Sequence, residues 1–193
     1  MADVDPLTWC AEWMADAAQA EPVNPTAVAL ATVDGAGHPQ VRMVLLRGFD
    51  RNGFVFYTNT DSPKGEELAQ QPLAALCFYW KSLARQLRVT GAVEVVTSTE
   101  ADAYFASRPH ESQIGAWASQ QSRVLGSRAT LEQQVDKFTQ QFAAGPVPRP
   151  SYWSGYRVIP AQIEFWEERP YRLHERTLFK RRGEQWESCQ LYP

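Results

Sequence analysis

The sequence predicts a mainly β protein with α decoration: a small antiparallel barrel. Three observations predict it. About six or seven runs of β-branched and apolar residues follow one another, each of strand length. Several of the breaks between them, "GAGHP", "DRNG" and the Arg182-Gly183 pair, are tight-turn sequences that send the chain back antiparallel. Helical patterns are few, and a sheet of that many strands buries its apolar side by closing on itself. The 193 residues fit one domain, with an N-terminal helix in residues 1–24, a helical insertion over residues 98–145 and closing strands over residues 150–193.

Residues 5–20 read as the first helix. Asp5 can cap it, Pro6 suits the first helical position, and Trp9, Trp13, Ala17 and Ala20 recur at helical spacing until Pro22 and Pro25 end it. The period then changes. "TAVALATVD", "QVRMVLLRGFD" and "FVFYTN" form a meander of strands. "DSPKGEELAQQ" starts a short helix and "LAALCFYW" is a buried strand. "RQLRVTGAVEVVT" is a long strand with a kink expected at Gly91. Thr97 and Glu100 have capping-box spacing at the head of the helix "TSTEADAYFASR". A further helix, "SRATLEQQVDKFTQQFAAG", is expected to stop at Gly145. The rigid "PVPRP" leads into three closing strands, "YRVIPAQIEFWEE", "YRLHERTLFKR" and "QWESCQLY".

Composition removes several classes of function. The net charge of −3, without a long basic run, lacks the footprint of a nucleic-acid binder. No apolar run reaches the length of a membrane span. The N-terminus carries acids where a secretory signal needs a basic region, so a cytoplasmic location is expected. The three cysteines, Cys10, Cys77 and Cys189, form no CxxC pair, and His38, His110 and His174 are scattered. Reduced thiols and no metal site are expected. Seven tryptophans are many for this length, and a buried indole N–H needs a partner, so some are candidates to line a site.

Four stretches could carry chemistry. Arg42 and Arg47 sit five apart on one strand and so point to opposite faces; each can equally be a solvated residue lying over apolar neighbours. Tyr57, Thr58, Ser62 and Lys64 gather between a strand end and a helix start, which suits a phosphate but also an ordinary helix cap. Arg172, His174 and Arg176 alternate along an expected strand and would share one face, either around something anionic or as a salt-bridged edge with Glu168 and Glu175. "RPHESQIGAWASQQS", residues 108–122, is too polar for a core and too rich in Trp, Ile and Ala for a linker. These residues fit a barrel that binds one or two phosphorylated ligands. Spacing alone names no cofactor.

The same stretches carry a resemblance. "RPHESQIGAWASQQS" and "IEFWEERPYRLHER" closely resemble the signature regions of the pyridoxine/pyridoxamine 5′-phosphate oxidase family. "NPTAVALATVD", "RMVLLRGFD", "GFVFYTN", "RQLRVTG" and "VPRPSYWSGYRV" follow in the family's order, so the resemblance covers nearly the whole chain. It implies an antiparallel split β-barrel of the FMN-binding type, and a homodimer with FMN in clefts at the subunit interface. It implies that Arg42, Met43, Val44, Leu45, Leu46, Arg47, Tyr57, Thr58 and Lys64 hold FMN, completed by Gln86, Gln121, Ser122, Trp166 and Arg176. Arg47, Tyr104, Arg108 and Ser112 would hold the substrate phosphate, and Arg172 and His174 would lie over the substrate ring as the catalytic pair. Ile114–Trp117 would be a packed hinge between the two phosphate sites.

The implied reaction oxidises pyridoxine or pyridoxamine 5′-phosphate to pyridoxal 5′-phosphate, with dioxygen as acceptor and hydrogen peroxide as product. Three departures stand out. Arg47 replaces a frequent Lys, Pro63 replaces a common basic residue before Lys64, and the N-terminal segment that folds over substrate in longer members is expected to be missing. A flavin reductase or deazaflavin-dependent oxidase on the same barrel would lack the Tyr104–Arg108–Ser112 set. A non-catalytic carrier of FMN or pyridoxal phosphate would bind its ligand without turnover, and the retained Arg172–His174 pair disfavours it.

Overall fold

Each of the eight segments read as a strand contains one in the computed structural model, which describes residues 5–193, so eight strands form rather than six or seven. They are β1 (Ala27–Val33), β2 (Pro39–Asp50), β3 (Gly53–Asn59), β4 (Leu73–Trp80), β5 (Arg85–Val95), β6 (Trp153–Glu167), β7 (Glu175–Arg182) and β8 (Gln185–Gln190). The spatial order is β3-β2-β1-β4-β5-β6-β7-β8, and β3 also pairs with β6, which closes the first six into a barrel.

The length of β6 makes this split possible. Its first half, Trp153–Val158, pairs with β3, and its second half, Gln162–Glu167, pairs with β7, while β5 runs along both. The change of partner falls where the β5–β6 register slips between Thr90 and Gly91. A Cβ at Gly91 would collide with the Ile159 carbonyl oxygen, so the bend requires glycine there. The β7–β8 hairpin, expected from the turn at Arg182-Gly183, hangs off the open half.

The alternation of each strand sets the core. Val28, Leu30, Phe54, Phe56, Leu76, Phe78, Leu87 and Val89 point inward and are almost fully buried. Each large side chain among them contributes about 1.5–3 kcal/mol by leaving water. Helix α1 (Pro6–Ala20) packs on this core as expected from its cap: the Asp5 carboxylate accepts from the Leu7 N–H at 3.0 Å. Cys10, Trp13 and Ala17 are its buried stripe, and Trp13 meets Phe165 edge-on at 5.0 Å. Of the expected N-terminal segment, residues 1–4 lie outside the described residues.

Four more helices cover one side: α2 (Pro63–Gln70), α3 (Ser98–Ala106), α4 (His110–Ala118) and α5 (Arg128–Gln141). The Thr97–Glu100 capping box of α3 is formed in both directions. Helix α5 ends before Gly145, because Phe142 leaves the helix to pack on Trp117 at 5.4 Å. The stretch expected as a hinge is instead helix α4. Gln113 explains it: its Nε2 donates to the carbonyls of Ala106 (3.2 Å) and Arg108 (2.9 Å), so α4 caps the end of α3. Among the described residues no helix is long and apolar enough to cross a membrane.

Candidate active site

Strand β2, the end of β3, and helices α2, α3 and α4 enclose a cavity of about 480 Å³. Met43, Val44, Leu45 and Arg47 form the β2 wall. Tyr57 and Thr58 come from β3, Lys64 from α2, Tyr104 from α3, Ser112 from α4, and Arg108 and Gln121 from the flanking loops. Eleven of the expected site residues therefore meet in one place.

The wall behind them is aromatic. Tyr57 stacks on Tyr104 at 4.0 Å and on Trp153 at 5.4 Å. The Arg108 guanidinium lies over the Trp153 ring at 4.8 Å and over Phe105 at 5.5 Å. Its Nη1 is buried and has no hydrogen-bond partner among the described residues. Burial first, and the neighbouring Arg47 charge as well, hold the Arg108 pKa below its ordinary value. A half-buried cation with a buried, unused donor beside a second cation is costly alone and is relieved by an anion that takes two N–H bonds.

Lys64 is the second such cation. Only 8% exposed, it donates to two neutral oxygens, Ser62 Oγ at 2.9 Å and Gln121 Oε1 at 2.7 Å. Burial, and then the nearby Arg42 guanidinium, pull its pKa down to about 8. Thr58 Oγ1 donates to the same Gln121 oxygen at 3.1 Å, which ties the loop after α4 to the end of β3. A larger hollow of about 1150 Å³ lies beyond Gln121, but its lining cation, Arg123, is already held by Glu66 at 2.6 Å. Among the described residues, the smaller cavity is the one of the two lined by cations without a carboxylate partner.

A second cluster sits on the open half of the sheet. Gln86, Trp166 and Arg176 lie side by side across β5, β6 and β7. Arg176 is held by Glu164 at 2.8 Å, and Glu164 also holds Arg88 at 3.0 Å. The expectation that Arg172, His174 and Arg176 share a strand face is corrected here. Strand β7 begins at Glu175, Pro170–Arg172 is a tight turn, and Tyr171 and Arg172 are both left-handed (φ 60° and 63°). His174 instead rests against Trp166 at 4.6 Å.

The chain as a whole is similar to known proteins. A family model described as pyridoxamine 5′-phosphate oxidase matches residues 14–142, and one described as the pyridoxine 5′-phosphate oxidase C-terminal dimerisation region matches residues 153–193. The chain belongs to the pyridoxamine 5′-phosphate oxidase family. Relatives named pyridoxine/pyridoxamine 5′-phosphate oxidase are 57% identical over 190 residues in Chelativorans sp. (strain BNC1), covering 98% of this chain and 91% of that one, and 58% identical over 191 residues in Brucella canis, covering 98% and 94%. Among solved structures, PhzG from Burkholderia lata 383, crystallised with tetrahydrophenazine-1-carboxylic acid, superposes with a TM-score of 0.92 at 31% identity, covering 98% of this chain and 93% of that chain. A pyridoxamine 5′-phosphate oxidase-related, FMN binding protein from Nostoc punctiforme shares the fold, with a TM-score of 0.78 at 20% identity over 98% and 99% of the two chains.

Within this family member some expected site residues lie away from the cavity wall. Arg42 turns toward the barrel end beneath α2, bonded to Thr32 and to Glu67 at 2.9 Å. Leu46 is in the barrel core. Ser122, left-handed at φ 68°, lines the larger hollow. Two residues escaped the sequence reading. Trp153 is the platform under Arg108, and its signal was the Trp in "SYWSGYRV", which reads equally well as plain core. Glu164 is the buried carboxylate between two arginines, and strand alternation alone does not mark it.

Proposed function

We infer that the chain is an FMN-dependent oxidase that converts pyridoxine and pyridoxamine 5′-phosphates to pyridoxal 5′-phosphate, with dioxygen reduced to hydrogen peroxide. The observation that carries this reading is Arg108, a half-buried guanidinium on an aromatic platform whose buried Nη1 has no partner among the described residues, beside Arg47, Tyr104 and Ser112. That donor set suits the phosphate of a small ring substrate. Lys64, Tyr57, Thr58 and Gln121 would hold FMN, with Arg42 adding positive potential behind Lys64. FMN when bound supplies the redox chemistry, accepting a hydride equivalent from C4′ of the substrate.

The rest of the site would come from a second copy of the chain. On the outer face of the sheet Met43, Ala29, Cys77, Arg88 and Glu164 stand opposite one another across β2-β1-β4-β5-β6. The cation cavity lies at the β2 edge of this face, and Gln86, Trp166 and Arg176 lie at the other. Between them the surface carries mostly small and apolar residues, with exposed Val41, Met43, Leu73 and Tyr79 beside the Arg88–Glu164 ion pair. Two such faces packed about a two-fold axis bring the cavity of one copy against the Gln86–Trp166–Arg176 cluster of the other, twice. Arg172 and His174 would then reach the substrate ring, orient it and hydrogen-bond its polar atoms.

The test is anaerobic. The purified yellow protein should lose its flavin absorbance when pyridoxine 5′-phosphate is added and regain it when air is admitted. A protein that keeps its flavin colour on saturating substrate is not this oxidase.

A further inference from the structure

We propose that Arg169 is a positioning residue, and that through it His174 is presented as a fixed hydrogen-bond donor at Nε2 rather than as a base. That His174 meets the substrate rests on the function proposed above; its tautomer does not.

The loop between β6 and β7 carries both Arg172 and His174, and little packing holds it. Tyr171 is 93% and Leu173 67% exposed. Two consecutive non-glycine residues nevertheless adopt the left-handed conformation, which persists only where the surroundings over-determine it. Arg169 supplies that constraint. Its Nη2 donates to Glu167 at 2.7 Å and to Glu175 at 2.8 Å, the last residue of β6 and the first of β7, so one guanidinium draws the mouth of the loop together. Glu167 is further held by Arg85 at 3.1 Å, and Arg85 by Asp16 of α1 at 2.8 Å. The clamp is thus anchored to the body of the barrel.

The backbone of the same residue sets the imidazole. The Arg169 N–H donates to His174 Nδ1 at 3.3 Å, with the ring resting against Trp166. A peptide N–H can only donate, so Nδ1 must carry a lone pair. The neutral ring then bears its proton on Nε2. In that state Nδ1 is occupied and Nε2 is already protonated, so neither nitrogen is free to take a proton from substrate. What the side chain offers is an N–H donor at Nε2, aimed by the clamp.

The tautomer is measured directly by ¹⁵N NMR of the full-length FMN-loaded protein with labelled histidine, at a pH high enough that the signals no longer move. The His174→Gln variant assigns the resonances. A pyridine-type Nδ1 and a pyrrole-type Nε2 are expected; a pyrrole-type Nδ1 overturns the proposal. Substitution tests the role. Glutamine can place its amide N–H near the Nε2 position and asparagine only near Nδ1, so His174→Gln should keep kcat/KM roughly 10-fold above His174→Asn. Equal losses would mean that His174 does not act as an Nε2 donor. Arg169→Ala should lower kcat/KM roughly 10-fold and mix the tautomer signals while FMN content stays unchanged, with Arg169→Lys restoring part of both. Unchanged rate and unchanged signals in Arg169→Ala would remove its positioning role. Absence of turnover in the parent protein would instead count against the proposed oxidase, and the NMR result would still decide the tautomer.

Discussion

Replacing Lys64 by Met should weaken FMN binding and at the same time stabilise the empty protein. Lys64 is 8% exposed, and among the described residues its ammonium bonds only to neutral oxygens of Ser62 and Gln121. A pKa drawn from 10.5 to about 8, by burial first and Arg42 second, corresponds to about 3 kcal/mol against the charged form. The unfolded chain keeps this proton up to about 10.5 and the folded one only to about 8. Between those values the unfolded state holds more protons, so the empty protein gains stability as pH rises through the window, and below it the cost is fully present. Methionine keeps the length and removes the charge, so the melting temperature of the FMN-free variant should rise by a few degrees at pH 7. The lost charge-assisted bond to phosphate should weaken FMN by roughly 10- to 150-fold. In the parent, FMN affinity should fall as pH rises through about 8, because the neutral amine must take up a proton to bind; in the variant this dependence should vanish. Flavin fluorescence titrations from about pH 7 to 9.5, where a phosphate with a second pKa of about 6 stays doubly ionised, measure both effects. A variant that loses thermal stability together with FMN would show that Lys64 is a strut rather than a reserved charge. So would a parent affinity that is flat across the window.

Other outcomes follow from the same geometry. Arg108→Ala should raise KM for pyridoxine 5′-phosphate by roughly 10- to 150-fold with FMN still bound; equal parent activity on pyridoxine and its phosphate would remove the role of Arg47, Tyr104, Arg108 and Ser112. Pro63 is the first residue of α2, a position that accepts Arg, so Pro63→Arg should tighten FMN in titration; no gain would mean that the added cation does not reach the phosphate. Gly91→Val should cost at least about 3 kcal/mol in chemical denaturation, and an unchanged midpoint would show that the β5–β6 bend relaxes freely.

Much of the fold was legible because local rules and the fold agree. In β1 the residues alternate between the core and the outer face, and the α3 capping box is written in four consecutive residues. The unread parts depend on partners distant in sequence or on contacts that no period reports. Helix α4 opens on polar residues, and its decisive bond is from Gln113 to the preceding helix. The turn at Tyr171–Arg172 contains neither Gly nor Asn to announce its left-handed backbone; an ion-pair clamp around it imposes the shape. Arg42 is committed to Glu67, a partner 25 residues on, and spacing along β2 could not reveal it. For the candidate site, single motifs left cation clusters with two readings each. The resemblance grouped them, and the structure places eleven around one cavity and sets Gln86, Trp166 and Arg176 apart on the open sheet.

A site shared between two chains is the central claim, and mixing tests it. Arg108→Ala and Arg172→Ala chains, co-expressed under two different affinity tags, can be purified as the hybrid dimer. If Arg108 of one chain works with Arg172 of the other, the hybrid has one site carrying both defects and one site intact. It should then show about half the parental kcat/KM, although each variant alone is strongly impaired. A hybrid as inactive as its two parent variants would mean that both arginines serve the same chain, and would contradict the shared site.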